Sequence, residues 1–249
     1  MLFDSIYTSY QKLTSEVHDY GAKIVMQIVH GSSLSQGYPE RARILGPSSM
    51  KHPASGLTSQ EMTEKDIQNV IRHFANAALR VKASGFDGVQ IHCAHGYLLA
   101  QFLSPLFNHR TDKYGGPIQN RIRIVEEVYQ AIRTAVGEDY PVWIKMNTSD
   151  EQPNGLTVEE FLEMAMILSN AGIDAIEVSG EHWHRHKLTE RAYYKEAAMQ
   201  LSKSVDTPII LTGGLRELSD LTPIYENSKV DLFGFARPFM KNPNFIKTL

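Results

Sequence analysis

The 249 residues include a single cysteine, Cys93, so no intrachain disulfide can form, a usage that fits a reducing compartment. Long apolar runs are absent. None approaches the ~18 residues that a bilayer-spanning helix needs, and no membrane segment is expected. An excess of one charge is lacking too: 25 Lys and Arg against 28 Asp and Glu leave a net charge of -3. That gives no electrostatic reason for a nucleic-acid or anionic-membrane partner. There is no Walker-type loop, so nucleotide hydrolysis has no support. The opening Met1-Leu2-Phe3-Asp4-Ser5 has neither a basic n-region nor an apolar h-region; no signal peptide is expected, and a cytoplasmic location is. What remains is 42% hydrophobic and 21% charged. Disorder is argued against, and the length suffices for one α/β domain with a sizeable core.

Periodicity divides the chain. Ile6, Tyr10, Leu13 and Val17 recur at helical spacing and stop at Tyr20-Gly21. Lys23 to Ile28 reads as a strand with a polar end. Residues 31–58, which include Arg41 and Arg43, read as a long loop of the functional kind. Thr63-x-x-Asp66 resembles a capping box ahead of a helix bearing Ile67, Val70, Ile71, Phe74, Ala78 and Val81. Strands are predicted at 87–91, 142–146, 175–178, 209–211 and 231–235. Between them fall helices around Ile124, Val128 and Ile132, over 158–168, near 190–203 and around 218–226. In Ala83-Ser84-Gly85-Phe86-Asp87 and Asn170-Ala171-Gly172-Ile173-Asp174, a glycine can close a helix before a buried strand. This alternation is the pattern of βα units on a parallel sheet, in one domain over 1–249 without a linker.

Chemistry gathers at the strand ends, where α/β folds place their sites. The apolar run Val89 to Ile91 ends in His92, His95 and Tyr97. Packed structural histidines are the plain alternative. A zinc pair is another, but no third ligand stands at catalytic spacing. Cys93, between the histidines, is read as a packing residue rather than a nucleophile. Gln27 and Lys145 end apolar runs where a structural residue would be apolar, and Lys145 is costly to bury unless an anion or an electron-rich group meets it. Thr212-Gly213-Gly214 and Phe235-Ala236-Arg237-Pro238 end two further strands, with glycine for close anion approach and Arg237 for a charge-assisted contact. His182-x-His184-x-His186, with Trp183, suggests a metal, but a substrate-facing or solvated loop is the favoured reading.

Taken together, His92-x-x-His95-x-Tyr97, Gln101-Phe102-Leu103-Ser104-Pro105, Asn108-x-Arg110-Thr111-Asp112-x-Tyr114-Gly115-Gly116 and Asn120-Arg121 resemble the signature of the old yellow enzyme family. These are flavin-dependent ene-reductases and NADH:flavin oxidoreductases on a TIM barrel. The resemblance implies FMN as cofactor, NADH or NADPH as reductant, and a small unsaturated acceptor such as an α,β-unsaturated carbonyl as partner. It implies that His92 and His95 bind the substrate carbonyl and that Tyr97 contributes to protonation. Gln27 and Lys145 would hold the flavin's polar edge, and Gly213, Gly214, Ala236 and Arg237 its phosphate. Two departures stand out. Ala236 replaces a glycine common before the arginine, and Lys145 falls where some relatives have arginine.

Six strands are visible and a TIM barrel has eight. By its motifs the chain opens on what resembles the family's second helix. An incomplete barrel is therefore expected, short of its first two strands and also short at Leu249. A homo-oligomer or a complementing N-terminal segment is the expected partner. Two other functions stay open: an inactive fragment with weak or no FMN binding, and a phosphate-binding isomerase or lyase without flavin.

Overall fold

Alternation along each strand builds two unlike faces, and helices cover one of them. The computed structural model describes residues 2–35, 43–180, 186 and 189–249. In order it comprises α1 (Leu2–Asp19), β1 (Val25–Ile28), β2 (Leu45–Gly46), β3 (Gln60–Glu61), α2 (Glu64–Ala83), β4 (Gly88–Cys93), α3 (Leu98–Leu103), α4 (Ile118–Arg121), α5 (Arg123–Val136), β5 (Val142–Asn147), α6 (Val158–Asn170), β6 (Ala175–Ser179), α7 (Lys195–Leu201), β7 (Ile209–Thr212), α8 (Leu218–Asn227), β8 (Val230–Gly234) and α9 (Arg237–Lys241). Six strands form one parallel sheet in the order β1-β4-β5-β6-β7-β8, and β2 pairs only with β3. This is the TIM-barrel-like architecture expected from the sequence. Among the described residues β1 and β8 each have a neighbour on one side only.

The helices form for legible reasons. Thr63 caps α2 reciprocally: Asp66 N–H donates to Thr63 Oγ1 at 3.2 Å, and Thr63 N–H to Asp66 Oδ2 at 2.9 Å. The same box closes the start of α6 between Thr157 and Glu160. Such caps contribute about 1 kcal/mol. Gly85 and Gly172 take positive φ after α2 and α6, as the two junctions suggested. Val89, Ile91, Val142, Ile144, Met146, Ile176, Val178, Ile209 and Leu211 are fully buried and join the inner stripes of the helices in one core.

Several boundaries differ from expectation. The strand expected over 87–91 runs on to Cys93, so His92 lies on β4 itself. The helix expected near 190–203 starts only at Lys195, because Ala192 sits at φ 44°, outside helical geometry. α3, α4 and α9 were not expected as helices. α3 is six residues long and buried all round, so it carries no amphipathic stripe to read. The long loop is not featureless: it contains a 3-10 turn at 32–34 and β2. Arg43 there pairs with Asp66 and Gln60, bracing the start of α2. Arg41 lies outside the described residues.

Candidate active site

Beyond His92 the chain must turn sharply to enter α3, and it does so through His95 and Gly96 at φ 58° and 72°. The turn folds His95 back toward the strand. The His92 and His95 rings meet edge to face at 5.1 Å between centroids, and Tyr97 stands edge-on to His92 at 4.9 Å. His95 is held from two neighbouring strands. Its N–H donates to Asn147 Oδ1 at 3.0 Å, and Nε2 lies 2.8 Å from Ser179 Oγ. Ala94 N–H donates to His92 Nδ1 at 3.3 Å, which leaves the proton of neutral His92 on Nε2.

Both imidazoles are neutral at ordinary pH. Burial, then the neighbouring His95 and Lys145, pushes His92 down to about 3. Burial and Lys145 push His95 down to about 4. Each is therefore a neutral hydrogen-bonding group beside a cation, suited to polarising a carbonyl oxygen rather than storing a proton. Cys93 points into the core instead. Burial pushes its thiol up, far from nucleophile chemistry, and the packing reading stands.

The rest of the signature is scaffold. Asn108 Nδ2 donates to the carbonyls of Phe102 and Tyr114, both at 2.7 Å. Arg110 spans the carbonyls of Pro47 and Met62 at 3.0 and 2.7 Å. Gly115 packs so tightly that a Cβ would lie 2.2 Å from Arg110 O. Buried Arg121 bonds Gly116 O at 3.0 Å as well as Leu103 O and Glu160. Gln101 Nε2 donates to Gly96 O at 2.7 Å, fixing the turn that delivers His95.

His92, His95, Tyr97, Lys145, Ser179, Gly213, Gly214, Ala236 and Arg237 all line one cleft of about 760 Å³. That volume lies within the usual range for small-molecule sites. The structure thus brings every expected site residue to one mouth except Gln27, which joins through Gln90 below it. Also in the cleft lining, Arg237 Nη2 donates to Tyr193 Oη at 2.6 Å. Gly213 and Gly214 hold φ of 100° and 74°, and a Cβ on Gly213 would lie 2.6 Å from the Tyr193 ring. Packing under Tyr193 is thus one physical reason for that glycine.

A model of the NADH:flavin oxidoreductase / NADH oxidase family matches residues 3–249. The chain belongs to this family. It is 34% identical over 251 residues to an NADH oxidase from Thermoanaerobacter brockii, covering 98% of this chain and 39% of that protein. It is 30% identical over 246 residues to an NADPH dehydrogenase from Bacillus subtilis, covering 98% of this chain and 71% of that one. The chain therefore spans about two fifths of the longer relative. Among solved structures, a 2-naphthoyl-CoA reductase complex superposes with a TM-score of 0.88 at 27% identity, over 98% of this chain and 40% of that one. Morphinone reductase, at 24% identity and a TM-score of 0.80, covers 98% and 71% and shares the fold.

Within this family fold, Gln90, Asn147, Glu177, Ser179 and Tyr193 also hold site residues in place, beyond those singled out from the sequence. Gln90 and Glu177 did carry a signal: each breaks a buried apolar strand at the alternate position. The histidine-rich loop gives no metal centre among the described residues. His182 and His184 lie outside them. His186 stacks on Tyr193 at 3.9 Å and pairs with Glu190 at 2.6 Å. No helix of the described residues is long and apolar enough to cross a membrane.

Proposed function

We propose that this chain is an FMN-dependent oxidoreductase that passes hydride from NADH or NADPH, by way of the flavin, to an activated alkene such as an α,β-unsaturated carbonyl. The observation that carries the reading is the pair of neutral imidazoles, buried His92 and half-buried His95, meeting at 5.1 Å in the lining of the cleft. FMN, when bound, supplies the hydride chemistry; the protein supplies position and charge.

The residues present fit that group. Gln27 and Lys145 would hold the polar edge of the ring. Gly213, Gly214, Ala236 and Arg237 line the same cleft and would hold the phosphate. His92 Nε2–H and His95 would donate to the substrate carbonyl, stabilising the charge that develops as hydride arrives at the β-carbon. Tyr97, beside His92, would give its phenolic proton to the α-carbon.

The test is anaerobic reduction of 2-cyclohexenone by the FMN-loaded chain with NADPH or NADH. Loss of one such donor costs about 10²–10³ in rate, so His92→Ala plus His95→Ala should abolish measurable turnover yet keep the bound flavin. Unchanged turnover in that variant would sink the assignment. A chain that binds inorganic phosphate but no flavin would favour the isomerase or lyase reading instead.

A further inference from the structure

Lys145 and Gln27 lie on strands separated by β4, yet one carboxylate ties them together. Glu177 stands opposite Lys145 in the β5–β6 register, and its Oε1 lies 2.8 Å from Lys145 Nζ. The other oxygen, Oε2, accepts from Gln90 Nε2 at 2.7 Å. Gln90 Oε1 in turn accepts from Gln27 Nε2 at 2.6 Å. Four strands thus contribute to one polar chain beneath the cleft. Three of its four members are largely withdrawn from water: Gln90 is 7% exposed, and the Lys145 and Glu177 side chains 17% and 14%, while Gln27 at the end of the chain is exposed. A carboxylate so placed is tolerated because both its oxygens are paired.

The chain also has a direction. An ionised carboxylate only accepts, so Gln90 must turn its NH₂ to Glu177 and its carbonyl to Gln27. Gln27 must then turn its NH₂ toward Gln90 and spend one N–H there, which faces its carbonyl oxygen away from Gln90, toward any ligand donor. Lys145, with one proton on Glu177, keeps two more to give. Its charge is meanwhile offset by the carboxylate beside it.

We infer that Glu177 is a positioning residue of this site: it anchors Lys145, offsets its charge and, through Gln90, sets which way Gln27 presents its amide. The inference rests on the flavin reading above and assigns a role to a residue that touches neither substrate nor, directly, the ring. It carries a consequence for the cofactor. Lys145 with its counter-charge favours negative charge on the ring less than a bare ammonium would.

The experiment measures the midpoint potential of FMN bound to the wild-type chain, Glu177→Gln, Lys145→Gln and the double variant. Glu177→Gln should favour reduction about tenfold, a rise of ~30 mV for a two-electron couple. In the Lys145→Gln background the same change should move the potential far less, because its effect runs through Lys145. A Glu177→Gln potential equal to wild type overturns the inference. Equal shifts in both backgrounds overturn it too, since Glu177 would then act as a remote point charge. Should Glu177→Gln fail to fold, Gln90→Leu decides: it keeps the ion pair, so the potential should hold while FMN affinity falls about tenfold. Unchanged affinity there counts against the proposal. A wild-type chain that takes up no flavin removes the functional reading and this inference together, whereas a yellow chain with an unshifted Glu177→Gln potential removes the inference alone.

Discussion

The two faces of the sheet, one residue apart in sequence, do opposite work. On β5, Ile144 and Met146 are fully buried against the helices, while Lys145 between them reaches Glu177 on the other side. On β6 the same holds for Ile176 and Val178 against Glu177 and Ser179. The helix face is apolar and interchangeable in chemistry: any well-fitting hydrocarbon would serve. The cleft face is polar and specific, because each buried group there needs its partner. Stability is drawn from the first face and chemistry from the second, and substitutions should separate the two.

On the cleft face, Tyr97→Phe should cut alkene reduction by about 10²–10⁴ if the phenol is the proton donor. Urea melts of the same variant should overlay those of wild type. Steady-state turnover set beside the melts checks this, and a variant as active as wild type would return Tyr97 to a packing role. On the helix face, Ile144→Ala should cost about 2–5 kcal/mol of unfolding free energy through the lost burial and the cavity left behind. Flavin affinity measured well below its denaturation midpoint should change little.

Protonation probes the contrast without touching packing. His92 and His95 fall to about 3 and 4 when folded, against ~6.5 in the unfolded chain. Between these limits the unfolded state binds more protons, so stability is fully present above pH ~6.5 and is lost as pH falls toward 4 and 3. The loss approaches ~1.4 kcal/mol per pH unit for each histidine. His92→Ala plus His95→Ala should flatten the decline in urea melts between pH 7 and 4.5; an identical slope would show that these rings are not the groups that titrate. The smallest effect lies outside the cleft lining: Thr63→Ala should lower stability by about 1 kcal/mol through the lost cap on α2, with no change in turnover.

The same contrast explains what could be read in the residues alone. The helix face announces itself through period: Ile67, Val70, Ile71, Phe74, Ala78 and Val81 mark α2, and all are buried. The six sheet strands were legible in the same way, as short apolar runs. The cleft was legible where a polar group ended a run, as with His92 and Lys145. Inside a run, as at Gln90 and Glu177, a polar residue marks a break in the apolar pattern without showing its partner. Their meaning lies in partners 63 and 87 residues away along the chain from Gln90. Spacing carries no trace of such contacts. Tyr193 was missed because its role depends on a loop packing over Gly213 and Arg237.

One measurement bears most directly on whether the cleft face is a flavin site: the visible spectrum of the purified chain titrated with FMN and passed through gel filtration. The expected result is a flavin spectrum shifted from that of free FMN, saturating near one equivalent and eluting with the protein. FMN that keeps its free spectrum and separates fully from the chain would contradict it.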